Sequence, residues 1–177
     1  TDGGSWSGTD GTGDDVWNKS EVWSNYLTSS VGAYQNGTFA TYAFDGNNVN
    51  KAMVTDTETM TFTPTSPFTG VNTFGVISER NDTVVITWGD DSTNSYDLGL
   101  VIEGTATVYS IPTADITAKN GTIKSFTIGR TVPDPTAPPF TYLYGVVVND
   151  EILVDTVVSG GGADAQVTGP TFTTSGK

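Results

Sequence analysis

The chain has 177 residues, 36% of them hydrophobic, and carries a net charge of −13 from 20 acidic and seven basic side chains. Nucleic acid and anionic membrane surfaces are recognised through Lys and Arg, so neither is an expected partner. The absence of cysteine and histidine removes disulfides, thiol chemistry, the commonest general base and the commonest zinc ligand together.

This length suits one domain with tails. With 31 threonines, 21 glycines and little leucine, the composition favours half-buried strands joined by tight turns, and therefore an all-β fold. Residues 1–15 are Gly, Ser, Thr and Asp around Trp6 and read as a flexible arm. Residues 22–28, with Trp23, Tyr26 and Leu27, read as a first strand. Residues 40–46 read as one helical turn closed by Gly46.

From Glu58 onward the strands come regularly. Met60 and Phe62 alternate with threonines. Residues 71–78 and 83–88 repeat the pattern, and Gly89-Asp90-Asp91-Ser92 turns the chain into a strand at 96–102. Strands follow at 105–111 and 122–128, the latter after an Asn120-Gly121 turn. Four prolines make 131–139 an irregular loop. Residues 142–155 then form the most apolar ribbon. Tyr142, Tyr144, Val146 and Val148 are expected on one face, and Leu143, Gly145 and Val147 on the other, with Asn149-Asp150 as the hairpin turn. Apolar residues on both faces place this ribbon inside the fold. Ser159 and three glycines open a flexible C-terminal joint. The expectation is an antiparallel β-sandwich or jelly roll of roughly 8–10 short strands with little helix. It spans residues 16–158, between an arm at 1–15 and a Gly-rich segment at 159–177.

Three passages resemble known families. Trp23 with the Ser-Asn-Tyr-Leu-Thr that follows it, and Ala-Phe-Asp-Gly at 43–46, resemble discoidin-like (F5/8 type C) and carbohydrate-binding-module jelly rolls. The ribbon at 142–155 resembles the branch recurring in structural proteins of marine cyanophages and related tailed phages. The resemblance runs over about residues 22–158 and implies a non-enzymatic virion protein: a head fibre, capsid decoration or tail-fibre domain. It would sit at the virion surface or outside the cell, contacting other virion proteins, copies of itself (a trimer, by analogy with fibres) and host-surface glycans. The alternative is a carbohydrate-binding module of a secreted enzyme or adhesin. No cofactor is expected, although carbohydrate-binding relatives use the Asp of this turn to hold a structural calcium, which makes Asp45 the candidate calcium ligand. Asn47 and Asn50 supply further oxygens there, while the expected late Glu is replaced by Gly145 and Val146. Equally, Asp45 can accept N–H groups inside its own turn.

Sugars offer C–H faces for stacking and hydroxyls for hydrogen bonding. Trp88, with Asp90 and Asp91 in the adjoining turn and Tyr96 beyond it, is the leading glycan-binding candidate. Tyr34 and Tyr42 rank below it. Trp88 also closes an alternating strand, which would instead make it core. Catalysis would need paired carboxylates. Asp14 with Asp15 and Asp90 with Asp91 are chain neighbours, which face opposite ways on a strand. Glu79, Asp97 and Glu103 could form a glycosidase pair, roughly 5–10 Å apart, only if the fold gathers them. No enzyme activity is expected.

Overall fold

The computed structural model describes residues 21–46, 49–79, 82–99, 105–130 and 139–155. The two arms, most of the proline-rich loop, Asn47 and Glu103 lie outside these residues. Eleven strands are described: β1 (Leu27–Ser29), β2 (Ala52–Thr55), β3 (Thr59–Phe62), β4 (Phe74–Ser78), β5 (Thr83–Trp88), β6 (Thr93–Asp97), β7 (Thr107–Ser110), β8 (Ile123–Gly129), β9 (Phe140–Leu143), β10 (Gly145–Val148) and β11 (Glu151–Ile152). One short helix, α1 (Thr113–Ala118), and 3-10 turns at Trp23–Tyr26 and Ala40–Phe44 complete the description. None of these helices is long and apolar enough to cross a membrane.

All strand pairs are antiparallel. Five strands form one sheet in the order β1-β3-β8-β5-β6; four form a second, β11-β10-β4-β7; β2 and β9 form a third. Inward residues of all three sheets meet in one core. The five-stranded sheet supplies Met60, Phe62, Ile86, Trp88 and Phe126; the other two supply Val54, Phe74, Val76, Leu143, Val146 and Val148. This is an antiparallel β-sandwich. The threonine alternation decides which face looks inward. In β3, Met60 and Phe62 are buried while Thr59 and Thr61 are half-buried outside. Thr61 and Thr127 then share a hydroxyl contact of 3.1 Å across the outer face. Inside, Phe62 stacks on Phe126 with centroids 5.4 Å apart, and Phe74 meets Phe126 edge-on at 5.8 Å. Such ring pairs add about 0.5–1.5 kcal/mol each beyond their buried area.

The apolar ribbon does lie inside the fold, but its first arm, before the Asn149-Asp150 turn, is two strands rather than one. β9 pairs with β2, and β10 pairs with β4 and β11. At the junction both Tyr144 and Gly145 face Ile77. The Tyr144 N–H donates to the Ile77 carbonyl at 2.8 Å, and Gly145 is the cross-strand partner of Ile77. Two residues opposite one form a bulge, and a bulge shifts the side-chain phase by one. The expected faces are therefore corrected. Leu143, Val146 and Val148 enter the main core. Tyr142 and Tyr144 join Met53 and Ile77 in a second cluster, with Val147 packed against it. The Asn149-Asp150 turn forms as expected, both residues taking positive φ (50° and 67°).

Three further expectations need correction. Residues 23–26 form a 3-10 turn instead of a strand, since consecutive Trp23 and Ser24 are both buried, which an alternating strand does not allow. β2 was not expected. Its Ala52-Met53-Val54 run is buried on both faces and shows no alternation. α1 is too short to display helical periodicity, and only Ile116 is buried. It ends where Asn120 and Gly121 take positive φ and the Gly121 N–H reaches back to the Ile116 carbonyl at 2.9 Å. A Cβ on Gly121 would lie 2.5 Å from the Val71 carbonyl oxygen, so only glycine fits.

Candidate functional site

The turn that joins β5 to β6 does not offer a ligand surface. Trp88 is 0% exposed, because the β5 alternation that buries Val84 and Ile86 carries on to it. Its indole N–H donates to Asn94 Oδ1 at 2.8 Å, so the ring is core with a satisfied polar atom. The neighbouring acids are already engaged. Lys119 Nζ lies 2.8 Å from Asp90 Oδ2, and the Ser92 hydroxyl and N–H donate to Asp90 Oδ1. The bond from Lys119, then those from Ser92, hold the Asp90 carboxyl well below the usual carboxylate range. Asp91 receives the Lys124 ammonium. Tyr96 is half-buried and donates its hydroxyl to Asp115 Oδ2 at 2.9 Å. Burial first, and then the Asp115 carboxylate, push this phenol above its ordinary range. Trp88, Asp90 and Asp91 share a strand end and a self-neutralised turn, while Tyr96 lies opposite Val84, four residues along β5 from Trp88.

Of the calcium candidates, Asp45 and Asn50 are brought together and Asn47 lies outside the described residues. The Asn50 amide donates to Asp45 Oδ2 at 2.7 Å. That turns an N–H, rather than a second oxygen, toward the carboxylate, the bonding of a turn that satisfies itself and a poor fit to a hard cation. Asp155 is the nearby acid that sequence reading missed. Its Oδ1 accepts the Ser24 N–H at 2.9 Å, while its own N–H donates to the Phe44 carbonyl at 2.8 Å. Burial raises the Asp155 carboxyl above its usual range, and the charge of Asp45 adds to that rise. Among the described residues, no three acidic side chains gather as a metal-ligand set.

Of the carboxylates considered for a glycosidase pair, Glu79 and Asp97 fall among the described residues, and each is engaged elsewhere. Glu79 is buried beside Lys51 Nζ at 3.5 Å, and Asp97 accepts the Thr83 hydroxyl at 2.9 Å on the other sheet. Both sit in structural bonds.

The aromatic surface lies elsewhere, in the segment between β1 and β2. Asn36 and Gly37 take positive φ (51° and 70°), and the Thr38 N–H closes on the Gln35 carbonyl at 3.0 Å. This is the type I′ turn that Asn-Gly favours. Its start is fixed by the Gln35 N–H on the Met53 carbonyl at 2.8 Å and by the Tyr34 hydroxyl on the Leu27 carbonyl at 3.0 Å. Burial pushes the Tyr34 phenol up to about 12, so it stays a donor at any ordinary pH. Phe39, extended at φ −140° and ψ 160°, caps the following 3-10 turn. With three residues per turn, positions 39 and 42 fall on the same side. Phe39 and Tyr42 accordingly meet edge-to-face at 5.7 Å and 89°. Ala43 and Phe44 are buried on the inner side. Phe39 is left 58% exposed, beside a turn that offers Gln35, Asn36 and Thr38. Sequence reading ranked Tyr42 low and passed over Phe39. The available signal was an aromatic at i and i+3 across a short turn, directly after Asn-Gly.

No family model matches the chain, and no curated protein matches it. Solved structures are similar at low identity. A truncated AlyQ with CBM32 and alginate lyase domains is 17% identical with a TM-score of 0.46; the match covers 69% of this chain and 31% of that one. The CBM32 of AlyQ in complex with 4,5-unsaturated mannuronic acid is 15% identical, with a TM-score of 0.46 and coverage of 69% and 92%. The family 32 CBM from C. perfringens NanJ in complex with galactose is 10% identical, with a TM-score of 0.45 and coverage of 73% and 97%. At these values the likeness assigns neither a ligand nor a site to this chain.

Proposed function

We propose that this chain is a non-catalytic carbohydrate-binding module acting outside the cell, and that Phe39 and Tyr42 form its sugar-stacking surface. One observation carries the reading. Phe39 is an exposed ring held by a rigid turn, whereas the other seven-membered group of large aromatics in the core (Trp23, Phe44, Phe62, Phe68, Phe74, Trp88 and Phe126) is buried. A pyranose can lay its C–H face on that ring, and Gln35, Asn36 and Thr38 supply amide and hydroxyl groups for the hydroxyl rim. The sandwich contributes rigidity, so little ordering entropy opposes binding. No proton transfer is required, which agrees with carboxylates committed to structural bonds.

The test is a glycan array followed by calorimetry on the native chain and on Phe39→Ala. Covering about half of a phenylalanine is worth roughly 1–1.5 kcal/mol, so Phe39→Ala is expected to weaken binding by roughly 5–12-fold. Its fold stability should fall by no more than about 2 kcal/mol, the loss of the ring contact with Tyr42 and of its covered area, which leaves the chain folded for the binding measurement. Binding to no glycan at all would overturn this reading and favour the passive virion scaffold that the phage resemblance implies.

A further inference from the structure

Resting on the carbohydrate-binding reading, we infer that the ligand class is an uncharged glycan, and that polysaccharides built from uronic acids or bearing sulfate are excluded. Two independent observations on this acidic chain point there. The first is local. Residues 22–44 contain no Asp, Glu, Lys or Arg, a 23-residue window without charge in a chain of net −13. That window holds Phe39, Tyr42 and the turn beside them. Among the described residues, three of the four exposed large hydrophobics, Val31, Phe39 and Val49, come from this window or lie just after it. The two rings and the turn beside them thus offer a ligand apolar faces, amides and hydroxyls, and the first charge that follows them, Asp45 at the end of the 3-10 turn, is itself anionic.

The second observation concerns where the positive charges are. Among the described residues there are four basic side chains, Lys51, Lys119, Lys124 and Arg130. Each has a carboxylate of the chain within ion-pair distance. Lys51 faces Glu79 at 3.5 Å, Lys119 faces Asp90 at 2.8 Å, Lys124 faces Asp91, and buried Arg130 lies 3.8 Å from Asp82. Lys51 is further held by the Tyr144 hydroxyl at 2.9 Å and lies over the Tyr142 ring at 4.5 Å. A uronate carboxylate needs a cationic partner to offset its lost hydration. Taking Lys51 or Arg130 would cost buried Glu79 or Asp82 a cation, and Lys119 and Lys124 belong to the ion pairs of the β5–β6 turn rather than to the segment that holds Phe39. Beyond contact range, the net charge of −13 repels a polyanion as it approaches. A neutral pyranose meets none of these costs.

The experiment is affinity electrophoresis and calorimetry on the full folded chain, using a neutral galactan and a neutral mannan against alginate and polygalacturonate of matched length. Each is measured at about 0.05 M and about 0.5 M NaCl, which spans a Debye length falling from over 10 Å to under 5 Å. The expected result is retention by a neutral polymer, with an affinity that changes less than twofold across that salt range. Uronate polymers are expected to bind at least tenfold more weakly. A uronate bound as tightly as the neutral polymers, and lost on Phe39→Ala, overturns this inference while the proposed function stands. Neutral binding that falls more than fivefold with salt overturns it too. Binding to none of the four polymers and to nothing on the array overturns the proposed function itself.

Discussion

Two segments of this molecule carry an aromatic ring beside a tight turn, and they differ in one respect that decides everything else. At residues 88–92 the ring belongs to a strand. Trp88 inherits the inward phase of Val84 and Ile86, and the acids that follow it are neutralised by Lys119 and Lys124. At residues 35–42 the ring belongs to no strand. Phe39 sits between a type I′ turn and a 3-10 turn, and the side chain that goes inward is that of Phe44. An aromatic residue in strand phase is therefore committed to the core even when a polar turn begins at the next position. One in an irregular segment is free to face solvent if a later residue takes up the core duty.

The largest effect expected to test this contrast is at Trp88. Trp88→Ala should lower stability by roughly 3–5 kcal/mol, measured by denaturant unfolding, while the fraction still folded keeps its glycan affinity. Loss of binding with little change in stability would reverse the roles assigned to the two rings. A smaller effect is expected at the neutralised turn. Lys119→Ala removes a partly exposed pair and should cost about 0–1 kcal/mol with no change in glycan binding. The smallest effect comes from pH at the base of the aromatic segment, where Asp155 holds the Phe44 carbonyl. Its carboxyl is raised in the folded state, so its contribution is fully present below the unfolded pKa and is lost as pH rises through the folded one. Asp155→Asn keeps an acceptor for Ser24 and escapes that loss. Thermal melts of the two proteins should nearly coincide at low pH, with the variant gaining as pH approaches neutrality. A gap that closes instead would show that the charged form is the favoured one.

Much of the sandwich was legible because threonine and apolar residues alternate in β3 and along Ile86-Thr87-Trp88 of β5 and Phe126-Thr127-Ile128 of β8, and because Asn149-Asp150 and Asn120-Gly121 mark turns that need positive φ. What stayed hidden has a common cause. β2 is buried on both sides and so lacks alternation; α1 is shorter than two turns and so lacks periodicity; the Tyr144–Gly145 bulge shifts the phase of a ribbon whose two faces are equally apolar. No pattern in the residues themselves records such a shift. The proposed binding surface was missed on the same ground. Trp88 drew notice for its size and its acidic neighbours, while the exposure of Phe39 follows from how Ala43 and Phe44 are held, which only three-dimensional packing reveals.

The contact between Ser24 and Asp155 spans 131 positions of sequence and closes the described chain on itself. A body whose first and last segments touch can be joined there and reopened at a surface turn. It can equally be grafted into an exposed loop of a larger host without prising that loop apart.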